Sequence, residues 1–313
     1  MKQKTRKSIY QYLSPSDWPI WLILFLLKIN SKLSYKKQII HGKLLGRLGH
    51  KLSPKRRAIT RRNLALAFPE LSINERNKLA LEHFEAMGAS LIEMGLSRWA
   101  SEKMLQGIST WEGTEYIQEA LGTKQGIIML SAHFTTLEIS GRILGYGFPD
   151  FDVVYRKNRN PFITEILRST RERFAANTIE KRDIKSMIRR LKNGGVVWYA
   201  PDQSYDRKHS KILPFFNTPA MTNIATSTIA KLGNAVILPF FPRRLPEGGY
   251  ILTFKPLIRG FPSKDHSKDT EKYIKILEEQ IRLCPEQYYW MHRKYKNLPQ
   301  DYQNYYDDLK SWE

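Results

Sequence analysis

The chain has 313 residues, 42% of them hydrophobic, with one cysteine and a formal net charge of +21. That length suits one large domain or a main domain with an appendage, and the apolar content excludes disorder as the default. The lone Cys284 excludes an internal disulfide framework or a cysteine-based metal site, which suits a reducing compartment. The seven histidines do not gather at ligand spacings, so neither a metal nor a cofactor is expected.

The charge is concentrated at the start. Residues 1–62 hold sixteen Lys or Arg against one acid, Asp17, and carry +15, leaving +6 for the remainder. Such a block meets nucleic acid or anionic lipid. The neighbouring "WPIWLILFLLKI", Trp18 to Ile29, selects lipid, and no groove-reading motif supports nucleic acid. "SPSDWP" before it predicts a helix start, with Asp17 as N-cap and Pro19 in the first turn. The run has 12 residues, where a span needs about 20. Basic and apolar residues alternate beyond it, so residues 1–34 are expected to form a membrane-anchoring helix with a basic flank on an anionic leaflet. Trp18 and Trp21 suit the interface. No cleavage site follows the run, so a cleaved signal peptide is not expected.

Residues 35–110 are expected to be a helical region packed on the body. Within it, Leu79, Phe84, Met87, Leu91 and Met94 recur at helical spacing, and Ser72 and Glu75 form a capping box. Residues 111–313 change texture. "GIIML", "FDVVYR", "VVWYA", "AVILPFF" and "YILTFKPL" read as strands, the last antiparallel, with helical patterns between them and a long helix over about 268–283. The predicted fold is α/β: a mixed, largely parallel sheet flanked by helices, with an N-terminal membrane-associated helical segment.

Sites on such sheets lie beyond the carboxyl ends of strands. Three predicted strands end there in ionisable groups: His133 after "GIIML", Arg156 after "FDVVY", and Asp202 after "VVWYA". Glu138 follows His133 by five positions, too far for one helix face but suited to a turn followed by a helix start. Two readings stay open. In one, Glu138 orients His133 as a general base acting on a substrate hydroxyl. In the other, Thr135 and Glu138 form a T-x-x-E capping box and His133 is a turn residue. Arg156 is expected to grip an acceptor phosphate or sugar, with a salt bridge to a nearby acid as the alternative. Asp202 is read as ordering Arg156 or a site water, or as a structural partner. Arg159 and Arg171 are further candidates for substrate binding, and His292 reads as structural.

"SAHFTTLE" resembles the H-x4-D/E motif of glycerolipid acyltransferases. "RRNLALAFPEL", "VVYRKNRNPF", "VVWYAPDQSY", "LPFFPRRLPEGGY" and "CPEQYYWMHRKYK" resemble, in order, the blocks of the lauroyl/myristoyl acyltransferases of lipid A biosynthesis, over about residues 15–300. The "PRR…GGY" and "PEQYYW" blocks are most similar to the lauroyl type. The resemblance implies transfer of a fatty acyl group from acyl carrier protein to a hydroxyl of the Kdo-bearing lipid A precursor, at the cytoplasmic face of the inner membrane. Myristoyl or palmitoleoyl specificity is the alternative, as is hydrolysis of a lipid or thioester. Two positions depart from the pattern, Lys157 after the arginine and Asn217 after the paired phenylalanines, and both bear on chain length.

Overall fold

The computed structural model describes residues 9–148, 150–204 and 210–312. Lys2, Lys4, Arg6 and Lys7 of the basic arm, and Tyr205 at the end of "VVWYAPDQSY", lie outside them.

Four helices open the chain: α1 (Trp18–Asn30), α2 (Tyr35–Leu52), α3 (Pro54–Ala67) and α4 (Ile73–Trp99). Pro19 lies in the first turn of α1 as expected. Asp17 occupies the cap position, but its carboxylate accepts from the Ser14 hydroxyl at 2.8 Å and leaves the helix amides alone. At 13 residues, α1 is roughly 20 Å long. Among the described residues, no helix is long and apolar enough to cross a membrane. The Ser72–Glu75 capping box forms in both directions and starts α4.

α2 crosses α4 at backbone distance because both are glycines where they meet. A Cβ at Gly42 would lie 2.5 Å from the Ala89 Cα, and one at Gly88 would lie 2.1 Å from the Gly42 carbonyl. The crossing buries Gly42 and Gly46 and turns the apolar side chains of α2 outward.

After α5 (Glu102–Gln106), β1 (Ser109–Glu112) and α6 (Thr114–Gly122) come the βα units. These are β2 (Gly126–Leu130), α7 (Leu137–Gly147), β3 (Phe151–Tyr155), α8 (Pro161–Arg171), β4 (Asn177–Glu180), α9 (Ile184–Lys192) and β5 (Val196–Tyr199). A hairpin of β6 (Ser210–Phe215) and β7 (Thr218–Asn223) follows, then α10 (Ala225–Gly233), β8 (Ala235–Arg244), β9 (Tyr250–Phe254) and α11 (His266–Leu283). The main sheet has seven strands in the order β1-β9-β8-β2-β5-β3-β4. All neighbours run parallel except β8 and β9, so the mixed, largely parallel α/β fold expected from the sequence is present.

Helices cover both faces, so the central strands are apolar on every residue. Ile128, Leu130, Val197 and Tyr199 point into a core with α3, α9, α10 and α11. Ile127, Met129, Val196 and Trp198 point into the opposite core with α5, α6 and α7. The 110/111 domain division would cut β1, which pairs with β9 and belongs to the sheet. Asn217 has a role in the β6–β7 turn: Phe216 and Asn217 both have positive φ, at 49° and 58°, the geometry of a two-residue hairpin loop.

Candidate active site

The β2–β5 register brings two distant residues to one place. Leu130 is opposite Tyr199, and the Ser131 amide still donates to the Tyr199 carbonyl at 2.9 Å. Each chain then runs three residues past that pair. His133 and Asp202 therefore leave the sheet at the same height, and they bond. The Asp202 Oδ1 lies 2.6 Å from His133 Nδ1 and also accepts from the His133 amide at 3.2 Å. A carboxylate only accepts, so the shared proton sits on Nδ1, and in the neutral ring the lone pair is on Nε2. The His133 side chain is 35% exposed and that of Asp202 1%, so the ring reaches the surface while its partner stays dry.

The surroundings hold Asp202 ionised. Burial alone would raise its carboxyl, but His133 and Lys294 bring it down to about 2. The Tyr288 hydroxyl, raised by burial and then by the Asp202 charge, also bonds to this carboxylate. Lys294 is buried, which lowers its ammonium to about 8, and it donates to the Asp202 carbonyl at 2.6 Å. Its Nζ also lies 4.4 Å from the Phe215 ring centre. The Tyr273 hydroxyl donates to the Ser131 carbonyl at 2.6 Å, fixing the start of the loop that carries His133.

Glu138 is elsewhere. It sits in the first turn of α7 and forms a two-pronged pair with Arg171 of α8: Arg171 Nε donates to Oε2 at 3.1 Å, and Nη2 to Oε1. Burial would lower the Arg171 guanidinium, and Glu138 reverses that and raises it. The expectation that Glu138 orients His133 through the nitrogen that is not the base is corrected: Asp202 supplies the carboxylate, because parallel strand pairing aligns it with the ring and the helical path of α7 carries Glu138 away. The capping alternative is not realised either. Thr136 is at the N-cap without a side-chain bond, and the Thr135 hydroxyl is buried without a partner. Glu138 instead borders a crevice under the N-terminal helices with Leu24, Leu27, Met94, Arg98 and Thr170.

Arg156 and Arg159 are exposed beyond the end of β3 and make no hydrogen bond or ion pair among the described residues. The expected pairing of Arg156 with Asp202 is thus corrected: Asp202 is committed to His133, Tyr288 and the loop. Lys157 donates to Glu180 at 2.6 Å. His292 is mostly buried, its imidazole lowered to about 4 by burial and by Lys296, with Nε2 unpartnered. No group of His, Cys, Asp or Glu among the described residues could hold a metal ion.

Sequence reasoning missed Tyr273, Gln287, Tyr288 and Lys294. All but Tyr273 lie in "CPEQYYWMHRKYK", which attracted notice as a block but offered no spacing that ties it to His133, more than 150 residues earlier.

Residues 5–297 match the profile of the bacterial lipid A biosynthesis acyltransferases. The chain is similar to the lipid A biosynthesis lauroyltransferase of Escherichia coli (strain K12), at 35% identity over 92% of this chain and 94% of that one. The palmitoleoyltransferase of the same strain matches at 31% over the same shares, and its myristoyltransferase at 27% over 80% and 77%. A solved 1-acyl-sn-glycerophosphate acyltransferase from Thermotoga maritima aligns at TM-score 0.36 and 14% identity over 79% of this chain and 97% of its own, too distant to bear on the site.

Proposed function

The chain belongs to the bacterial lipid A biosynthesis acyltransferase family, and we propose that it moves a lauroyl group from acyl carrier protein to a hydroxyl on the Kdo-bearing lipid A precursor. The observation that carries the chemistry is the His133–Asp202 bond, which leaves Nε2 as a lone-pair nitrogen at a half-exposed sheet edge. His133 Nε2 takes the acceptor hydroxyl proton as that oxygen attacks the thioester carbon. Asp202 holds the ring and stabilises the imidazolium through Nδ1–H. The oxyanion collapses, the C–S bond breaks, and the proton passes from Nε2 to the departing thiolate. The products are an ester and the free carrier thiol.

Glu138 and Arg171 act one step away, pinning α7 to α8 so that the loop before α7 is held at its far end. Arg156 and Arg159 stand at the same strand-end edge, exposed and without a charge partner among the described residues, which suits an acceptor that carries phosphates. The lauroyl assignment is supported by the ranking of identities, 35% against 31% and 27% for the relatives that carry other chains.

The anionic cytoplasmic leaflet of the inner membrane is the proposed location. Trp18, Leu22, Phe25 and Leu26 of α1, and Leu44, Leu48 and Leu52 of α2, are exposed, among the cations Lys28, Lys36, Lys43 and Lys51. An apolar face with a basic surround lies in a lipid interface without spanning it. The test is direct. Purified protein is given carrier proteins loaded with chains of different length and the tetra-acylated Kdo-bearing precursor, and the product is weighed. A single added lauroyl group is expected; a different added mass reassigns the donor, and free acid without acylated lipid replaces transfer by hydrolysis.

A further inference from the structure

We propose that Gln287, backed by the buried Arg244–Glu93 pair, is a positioning residue for the transfer: it fixes the short segment that holds the His133 turn in place. The proposal rests on the transferase reading above, in which Nε2 of His133 must meet the acceptor hydroxyl.

The sheet alone does not hold this turn. The Tyr289 amide donates to the His133 carbonyl at 3.0 Å, and the Thr135 amide donates to the Gln287 carbonyl at 2.8 Å. These bonds make a one-residue antiparallel bridge centred on Phe134 and Tyr288. Residues 287–289 thus act as a splint, and the splint needs its own anchor because it lies in no strand of the sheet.

The Gln287 side chain is that anchor. Its Oε1 accepts from the Arg244 amide at 2.7 Å and its Nε2 donates to the Arg244 carbonyl at 2.9 Å, clasping both backbone groups of the last residue of β8. β8 has already left β2 at this point and pairs only with β9, Arg244 opposite Tyr250. The strand end is fixed by its own side chain instead. Arg244 Nε and Nη2 donate to the two oxygens of Glu93 on α4 at 2.6 and 2.8 Å, and the Tyr250 hydroxyl donates to the same carboxylate at 2.6 Å. Gln287 is 4% exposed, Arg244 8% and Glu93 1%. A continuous, buried and fully paired path therefore runs from α4 through β8 to the turn that carries His133. A buried pair of this kind adds little net stability; here its bonds tie the end of β8 to α4. Base catalysis depends on such placement, since displacement by about 1 Å removes about 10²-fold in rate.

The experiment measures kcat and KM with lauroyl-loaded carrier protein and the Kdo-bearing precursor. Gln287→Glu keeps the acceptor for the Arg244 amide and loses the donor to its carbonyl, and Gln287→Leu loses both. Leu105→Ala, in the core on the other face of the sheet, is the control for lost stability. Both Gln287 variants are expected to lose about tenfold or more in kcat, with KM within about twofold, while Leu105→Ala keeps its kcat below its own Tm. If the Gln287 variants per folded molecule turn over as fast as Leu105→Ala, or lose only KM, the positioning role is overturned. Should neither Gln287 variant fold, Glu93→Gln, which keeps the shape, decides by the same comparison. Failure of the wild-type enzyme to transfer would overturn the transferase reading instead, whatever the variants do.

Discussion

The N-terminal helical pair and the carboxyl edge of the sheet treat charge and apolar surface in opposite ways. On α1 and α2 most of the large apolar side chains are outside and the cations stand among them. At the sheet edge the apolar side chains fill two cores, and each buried carboxylate holds a defined partner: Asp202 with His133, Glu138 with Arg171, Glu93 with Arg244. A buried charge must be paired or it destabilises the fold, whereas a large exposed apolar face marks a place where something outside the chain can bind. One region is complete in itself, and the other leaves an apolar, basic face for which lipid is the proposed partner.

The sharpest way to break that contrast is at Asp202. Asp202→Asn keeps the size but lets the side chain donate, so His133 takes the other tautomer and presents N–H at Nε2. Turnover is expected to fall by about 10²- to 10⁴-fold in a folded protein, the scale of general-base catalysis. Near-normal turnover would remove His133–Asp202 from the chemistry.

Glu138→Ala comes next. It strands Arg171, and breaking a buried pair from one side destabilises by about 3–5 kcal/mol. A Glu138→Met, Arg171→Met double variant is expected to regain Tm over either single variant. If it does, while turnover stays as low as in Glu138→Ala, Glu138 contributes more than the pairing; if turnover returns with Tm, pairing is its whole role.

The complementary surface is tested on vesicles containing anionic lipid. Removing residues 1–34 is expected to weaken binding without abolishing it, because Leu44, Leu48 and Leu52 of α2 remain exposed on a helix locked to α4. Adding Leu44→Glu and Leu48→Glu is expected to release the protein at low and high salt. Retention of that variant would place the membrane contact elsewhere. For the acceptor side, Arg156→Ala is expected to lower acceptor-dependent transfer by about 10- to 100-fold, the range of one charge-assisted bond, with acceptor-free thioester hydrolysis unchanged. Parallel loss of both would make Arg156 part of the scaffold.

The last expected effect is a pH signature in stability. The folded state holds the Lys294 ammonium at about 8 against an ordinary 10.5. Between those values the unfolded chain binds more protons, so stability rises with pH across that window, and the penalty is fully present below it. Asp202 has the opposite sense: held at about 2 against 3.8, its contribution is present above pH 4 and lost as pH falls towards 2. Denaturant midpoints of wild type and Lys294→Met across pH 7–10.5 should converge as pH rises, and curves that stay parallel would show that Lys294 is not held low.

The sequence alone determined every element whose signal is local. β2, β5 and β8 are read from continuous apolar runs because they are buried on both faces, and α4 from its capping box and spacing. The exposed apolar, basic start was legible for the same reason. The edge strands β1 and β4 were not, since each has a single apolar residue in four and makes no run, and the β6–β7 hairpin hid behind Pro214 paired with Pro219. At the site, the sequence placed His133, Arg156 and Asp202 at strand ends but could not say which touch. That was decided by strand order and register: β2 beside β5, Leu130 opposite Tyr199. Pairing across 69 residues is a property of the sheet and not of any spacing along the chain. The same holds for Gln287, Tyr288 and Lys294, which the packing of the C-terminal segment against the His133 turn brings into the site and which no periodicity announces.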